Sequence, residues 1–174
     1  MNLLECFRNY KEEMLRLWAE AVYAASPFDA KGLLRTVTDP FGNPGADMIR
    51  EAAGALYGAV AGEETTVADV KAALERFVKL RAVQQGAPSQ ALGIFYLLKP
   101  IMRGLLLPHC TAPEDVNAYL AAESRLDSLA LLAFDMYMAA RETLAESRVE
   151  EIRSQHAQLT RWARENRGNP FIAG

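Results

Sequence analysis

From Pro113 the chain meets neither glycine nor proline until Gly168, a run of some 50 residues without a helix-stopping signal. Apolar residues recur through it at helical spacing, so it reads as one helix to about Asn166, far longer than a typical globular helix. A chain of 174 residues that gives so much of its length to one helix must arrange the remainder around it. That remainder shows no strand-like apolar–polar alternation, no internal repeat and no low-complexity tract. The expected fold is therefore all-α: a helical bundle of about five helices with a long C-terminal helix, a globin-like packing being one arrangement the pattern allows.

The two halves of the long helix differ. Tyr119 to Leu144 contains LALLAFDMYMAA, apolar on nearly all sides, as expected of a core helix. Beyond Glu146 charge dominates, yet Ala145, Val149, Ile152, His156, Leu159 and Ala163 recur at steps of four and three. That is the heptad step, and it marks these six as residues of a dimer seam. Residues 1–146 are thus expected to form the bundle, 147–167 a helical extension of the same domain, and 168–174 a flexible tail.

Four shorter helices are expected before it. Phe7, Tyr10, Met14, Trp18 and Ala21 form one face of a first helix that ends near Ala25, ahead of Ser26-Pro27, and an irregular stretch follows to Asn43. Asn43-Pro44 caps and opens a second, which Gly62 closes. Thr66 and Asp69 open a third, with Val67, Val70, Leu74, Phe77 and Val78 inward and Arg81 falling on the same face. The turn Gly86-Ala87-Pro88-Ser89 ends it, with Ser89 placed to cap a fourth helix to Leu107, which is apolar on every face. Pro100 predicts a kink in that helix and frees a carbonyl near Tyr96. With Lys99, Arg103 and Pro100 in about 17 residues, the segment is a poor candidate for crossing a bilayer.

Composition narrows the function classes. A net charge of -3 and a pI near 5.5 give no electrostatic ground for nucleic acid or an anionic membrane as partner. Two cysteines are too few for a disulfide framework, and the charged N-terminus lacks a signal-peptide core, so the expected compartment is cytoplasmic. No nucleophile, base and orienting group stand in the local contexts that hydrolases or nucleotide-binding enzymes use, so the chain is expected not to be an enzyme, with no cofactor and no metal. His109 at an apolar helix end is chemically able to serve as an axial haem ligand, which keeps a haem- or small-ligand-binding helical protein as the alternative reading. His109, Cys110, Glu114 and Asp115 offer metal-ligand types without a ligand spacing.

The informative polar residues are those in apolar surroundings. Asp135 lies among Leu131, Leu132, Phe134, Met136 and Met138, where a buried carboxylate needs a cation or several donors. Arg81 is the expected partner of Asp135 or Asp127, with Gln84 and Gln90 available to complete the hydrogen bonds and Tyr96 at the border. These six are the candidates for a ligand site or a signal-dependent switch; the plainer alternative is a pair that only fixes helix register.

Four pieces of text occur in order: Phe41, Asn43 and Pro44 with Ile49 after them; Arg81 to Gln84 with Pro88 to Ala91; Leu97, Leu98 and Lys99; and ESRLDSLALLAFDMY from Glu123 to Tyr137. Together they resemble the RsbRD N-terminal domain family over about residues 3 to 150. The resemblance implies an all-helical sensory or regulatory module without enzymatic activity, as found ahead of histidine kinases or in stress-response co-antagonists. The chain departs from the family pattern at Gln85-Gly86-Ala87, and no output module is expected after Arg167. The expectation is a stand-alone signal-transduction domain that acts in trans on a protein partner or as a homodimer.

Overall fold

Asn2 starts the first helix with a reciprocal cap that the sequence reading passed over: its side chain accepts the Glu5 N–H at 2.9 Å, and its own N–H donates to the Glu5 carboxylate at 3.0 Å. The computed structural model describes residues 2–24, 44–64, 66–83 and 87–166. Seven α-helices occur among them: α1 (Leu3–Asn9), α2 (Lys11–Ala24), α3 (Pro44–Ala61), α4 (Val67–Val83), α5 (Pro88–Tyr96), α6 (Leu98–Leu106) and α7 (Pro113–Glu165), with a 3-10 turn at Leu107–His109. No strand occurs among the described residues. The fold is all-α, as expected. The irregular stretch before Asn43, the Asn43 cap, the Gly86 turn and the 168–174 tail lie outside the described residues.

The helix count exceeds five because two expected helices are each broken once. Tyr10 leaves helical geometry, at φ -98 and ψ 7, and separates α1 from α2. Its ring stacks on His109 at 5.5 Å and its hydroxyl lies 2.9 Å from His109 Nε2, so a contact between distant segments holds the break. The second break is the one Pro100 predicts. The chain turns at Leu97, and the Trp18 indole N–H, on α2, donates to the Ile94 carbonyl at 2.8 Å in the last turn of α5. Pro88 to His109 is apolar and long enough for a membrane span, with mean hydropathy 1.4. Here it folds as two helices and a turn, with Leu98, Met102 and Leu106 buried in the bundle.

Three start and stop signals can be checked. Gly62 sits at φ +78, where only glycine is unstrained, and the Glu63 N–H donates back to the Gly58 carbonyl at 2.9 Å, closing α3. The Thr66 hydroxyl accepts the Asp69 N–H at 3.1 Å, as expected of a cap. Ser89 does not cap α5: the helix begins one residue earlier, on Pro88, with Ala87 extended before it. Val67 also departs from expectation, since it opens α4 on the outside, 82% exposed, while Val70, Leu74, Phe77 and Val78 are buried.

The first half of α7 packs on α3, α4 and α5, and its buried face is Tyr119, Ala122, Leu126, Ala130, Ala133 and Tyr137. Three of these six are alanine, which lets neighbouring helices approach closely. Aromatic residues fill the remaining space. Phe77 and Phe95 meet edge to face at 6.0 Å, as do Phe7 and Tyr57 at 5.9 Å, and the buried Tyr57 hydroxyl donates to the Phe7 carbonyl. From Ala145 to Glu165 every residue of α7 is exposed, so the helix runs on past the core.

Candidate functional site

Among the described residues, the structure does not bring the expected Arg81 cluster together as a whole. Arg81 is buried on the last turn of α4, its guanidinium 5.9 Å over the Phe77 ring, and burial pulls its pKa below the ordinary arginine value. Asp135 points the other way. It is exposed and forms no ion pair among the described residues, so the burial cost that called for Arg81 does not arise. Asp127 pairs with Lys99 of α6 at 2.8 Å. Tyr96 is half exposed with the Lys99 ammonium 5.5 Å from its ring, and Gln90 lies at the start of α5, where its side chain accepts the Ala87 N–H at 3.3 Å. Gln84 lies outside the described residues. Asp127 and Tyr96 therefore meet through Lys99, whereas Arg81 and Gln90 sit elsewhere.

The other polar candidates are held by fold contacts. His109 Nε2 is engaged by the Tyr10 hydroxyl, which takes the nitrogen that an axial ligand would use. Asp115 accepts the Leu3 N–H at 3.3 Å and so ties the start of α1 to α7. Cys6 is buried and Cys110 half-buried, and burial raises both thiols above their ordinary pKa.

Sequence reasoning missed the residues that fasten the bundle to α7. Arg125 donates to the Val60 carbonyl from two nitrogens, at 2.9 and 2.7 Å, and Arg141 donates to the Ala82 carbonyl at 3.1 Å. Each carbonyl lies in the last turn of a helix, α3 or α4, where it lacks an intrahelical donor and carries the negative end of the dipole. The arginines stand 16 residues apart on α7, about 24 Å along its axis. Farther back, Glu123 accepts from Arg103 of α6 at 3.0 Å and from the Tyr119 hydroxyl at 2.7 Å. The Arg103 hydrogen bond holds the Glu123 carboxyl below its ordinary pKa, while burial pushes the Tyr119 hydroxyl up.

Beside its buried face α7 presents an apolar stripe. All six seam residues, Ala145, Val149, Ile152, His156, Leu159 and Ala163, are exposed, Ile152 and Leu159 by about two-thirds. The stripe does not stop where the bundle begins. Leu131, Phe134 and Met138 lie on the same side of the helix and are 66%, 44% and 47% exposed. This corrects the expectation that LALLAFDMYMAA is enclosed on all sides: Ala130, Ala133 and Tyr137 turn inward, and Leu131, Phe134 and Met138 turn out. One signal for this was present in the sequence. Leu131, Met138, Ala145, Ile152 and Leu159 recur every seven residues, the same register as the seam in the tail.

Arg125 and Arg141 thus tie α7 to the ends of α3 and α4, while the stripe beside its buried face remains open. No curated protein and no solved structure shows significant similarity to this chain. The family model described as RsbT co-antagonist protein rsbRD N-terminal domain matches residues 12–152, from the start of α2 into the exposed part of α7. With most of its length matched, and with the all-helical bundle that the match implies, the chain belongs to the RsbRD N-terminal domain family of signalling regulatory domains.

Proposed function

We propose that this is a non-catalytic sensory and regulatory domain whose output is the outer face of α7, through which it pairs with a second copy or a downstream signalling protein. A single observation carries this reading: one 53-residue helix is at once a wall of the bundle and a fully exposed heptad seam. A change in the packing of α3 or α4 pulls on α7 through Arg125 and Arg141, and the seam is where that displacement reaches another polypeptide. Two unpaired cysteines suit a reducing compartment and support a cytoplasmic location.

The seam is tested by replacing Ile152 and Leu159 together with lysine. Light scattering on the eluting protein is expected to fall from a dimer mass to that of one chain, with helical circular dichroism and melting of the bundle unchanged. A double variant that keeps the mass of the parent contradicts the reading.

A further inference from the structure

The chain has two cysteines, Cys6 and Cys110, 104 positions apart, and the fold brings them to the same end of the bundle. Two contacts place them. The Leu3 N–H donates to Asp115 at 3.3 Å, and the Tyr10 hydroxyl lies 2.9 Å from His109 Nε2. Leu3 stands three residues before Cys6 and Tyr10 four after it, so the three share one side of α1. Across the contact, His109 immediately precedes Cys110 and Asp115 follows it, where α6 gives way to α7. The same two ties therefore enclose both thiols.

Their surroundings differ. Cys6 is 1% exposed and belongs to the core, whereas Cys110 is half-buried against that core, its S–H donating to the Leu106 carbonyl at 3.5 Å. Burial is the main cause that raises both thiols; the Asp115 carboxylate raises both further, and Cys6 acts in the same direction on Cys110, as a neighbouring ionisable group does. Among the described residues no group of three or more His, Cys, Asp or Glu side chains is arranged to hold a metal ion, so the pair reads as a dithiol.

We propose that Cys6 and Cys110 are a redox pair, which a peroxide converts to a reversible disulfide that fastens α1 to the turn leading into α7. Cys110, the more accessible sulfur, attacks one peroxide oxygen as its thiolate. The O–O bond breaks, leaving a sulfenic acid on Cys110 and releasing water. The Cys6 thiolate then attacks that sulfur, the S–S bond forms, and the hydroxide expelled takes up a proton as a second water. Two thiols are oxidised by two electrons and one peroxide is reduced by the same two. In a reducing compartment the pair rests as thiols, and a disulfide there is transient and regulatory.

The test uses the full chain, reduced, freed of reductant and given prolonged treatment with hydrogen peroxide at low protein concentration. The mass of the single chain is expected to fall by two hydrogens, and peptide mapping without reductant to recover Cys6 joined to Cys110. The melting temperature is expected to rise by about 5 °C or more, because the link closes a long loop in the unfolded chain, and dithiothreitol to reverse both changes. Cys110→Ser is expected to lose the mass change and the shift, with Cys6 left as a thiol. In Cys6→Ser, Cys110 is expected to stop at the sulfenic acid, which dimedone traps. A parent chain in which Cys110 gains oxygen while Cys6 can still be alkylated after unfolding, one in which both stay reduced, one whose disulfides join separate copies, or a linked chain that melts no higher than the reduced one, overturns the proposal.

Discussion

Glu123 shows how a single side chain joins two helices and a pH dependence. Its carboxylate takes hydrogen bonds from Arg103 on α6 and from Tyr119 one turn earlier on α7, and the charged form is favoured in the fold. Because its folded pKa lies below the unfolded one, its contribution is fully present above the ordinary carboxylate pKa of 4.5 and is lost as pH falls through the lower folded value. Arg103 is more than half exposed, so solvent screening keeps the contribution of the pair small. Glu123→Gln is therefore expected to lower the melting temperature modestly at neutral pH and to reduce the loss of stability below pH 4.5, which melting curves across an acid series would show. An acid limb as steep as the parent's would mean that Glu123 is not coupled to the fold in this way. Arg81, by contrast, contributes as a buried cation over Phe77 rather than as half of an ion pair with Asp135.

At the scale of elements, the clamps and the breaks matter most. Arg125→Ala leaves the Val60 carbonyl at the end of α3 without its charged donors and is expected to cost about 1–2 kcal/mol, read from chemical denaturation. Arg141→Ala should cost less, since one nitrogen rather than two reaches its carbonyl. Equal and negligible effects would argue against α7 being fastened through helix ends. Local signals made most of the elements legible: Gly62, Thr66 and Pro100 mark α3, α4 and the kink between α5 and α6 where the structure has them. What the sequence concealed depended on contacts between distant residues. The break at Tyr10 is held by His109, 99 positions away, and no propensity of residues 9–11 announces it. The arginine clamps were hidden likewise, because Arg125 and Arg141 read as ordinary surface charges until α3 and α4 are placed beside them. Asp135 misled for the converse reason: apolar neighbours in sequence are divided by a helix between an inner and an outer face. The inner side takes Ala130, Ala133 and Tyr137, and the outer takes Leu131, Phe134, Met138 and Asp135 itself.

For the whole molecule, the division of labour along α7 decides what the protein can do. Its first half completes a core with Tyr119, Leu126 and Tyr137, and its second half contributes nothing to that core. Exposed Leu131, Ile152, Leu159 and Trp162 leave large apolar side chains in solvent along one helix, and the proposed pairing would cover those of the stripe. The family match over residues 12–152 ends inside this exposed part. The most direct measurement compares the full chain with one ending at Glu146 by light scattering and thermal melting on the same samples. The full chain should be a dimer and the shortened one a monomer whose bundle melts within about 2 °C of the parent at matched low concentration. A shortened chain that is still dimeric, or a full chain that is monomeric, would contradict the claim that the outer face of α7 is the molecule's contact with its partners.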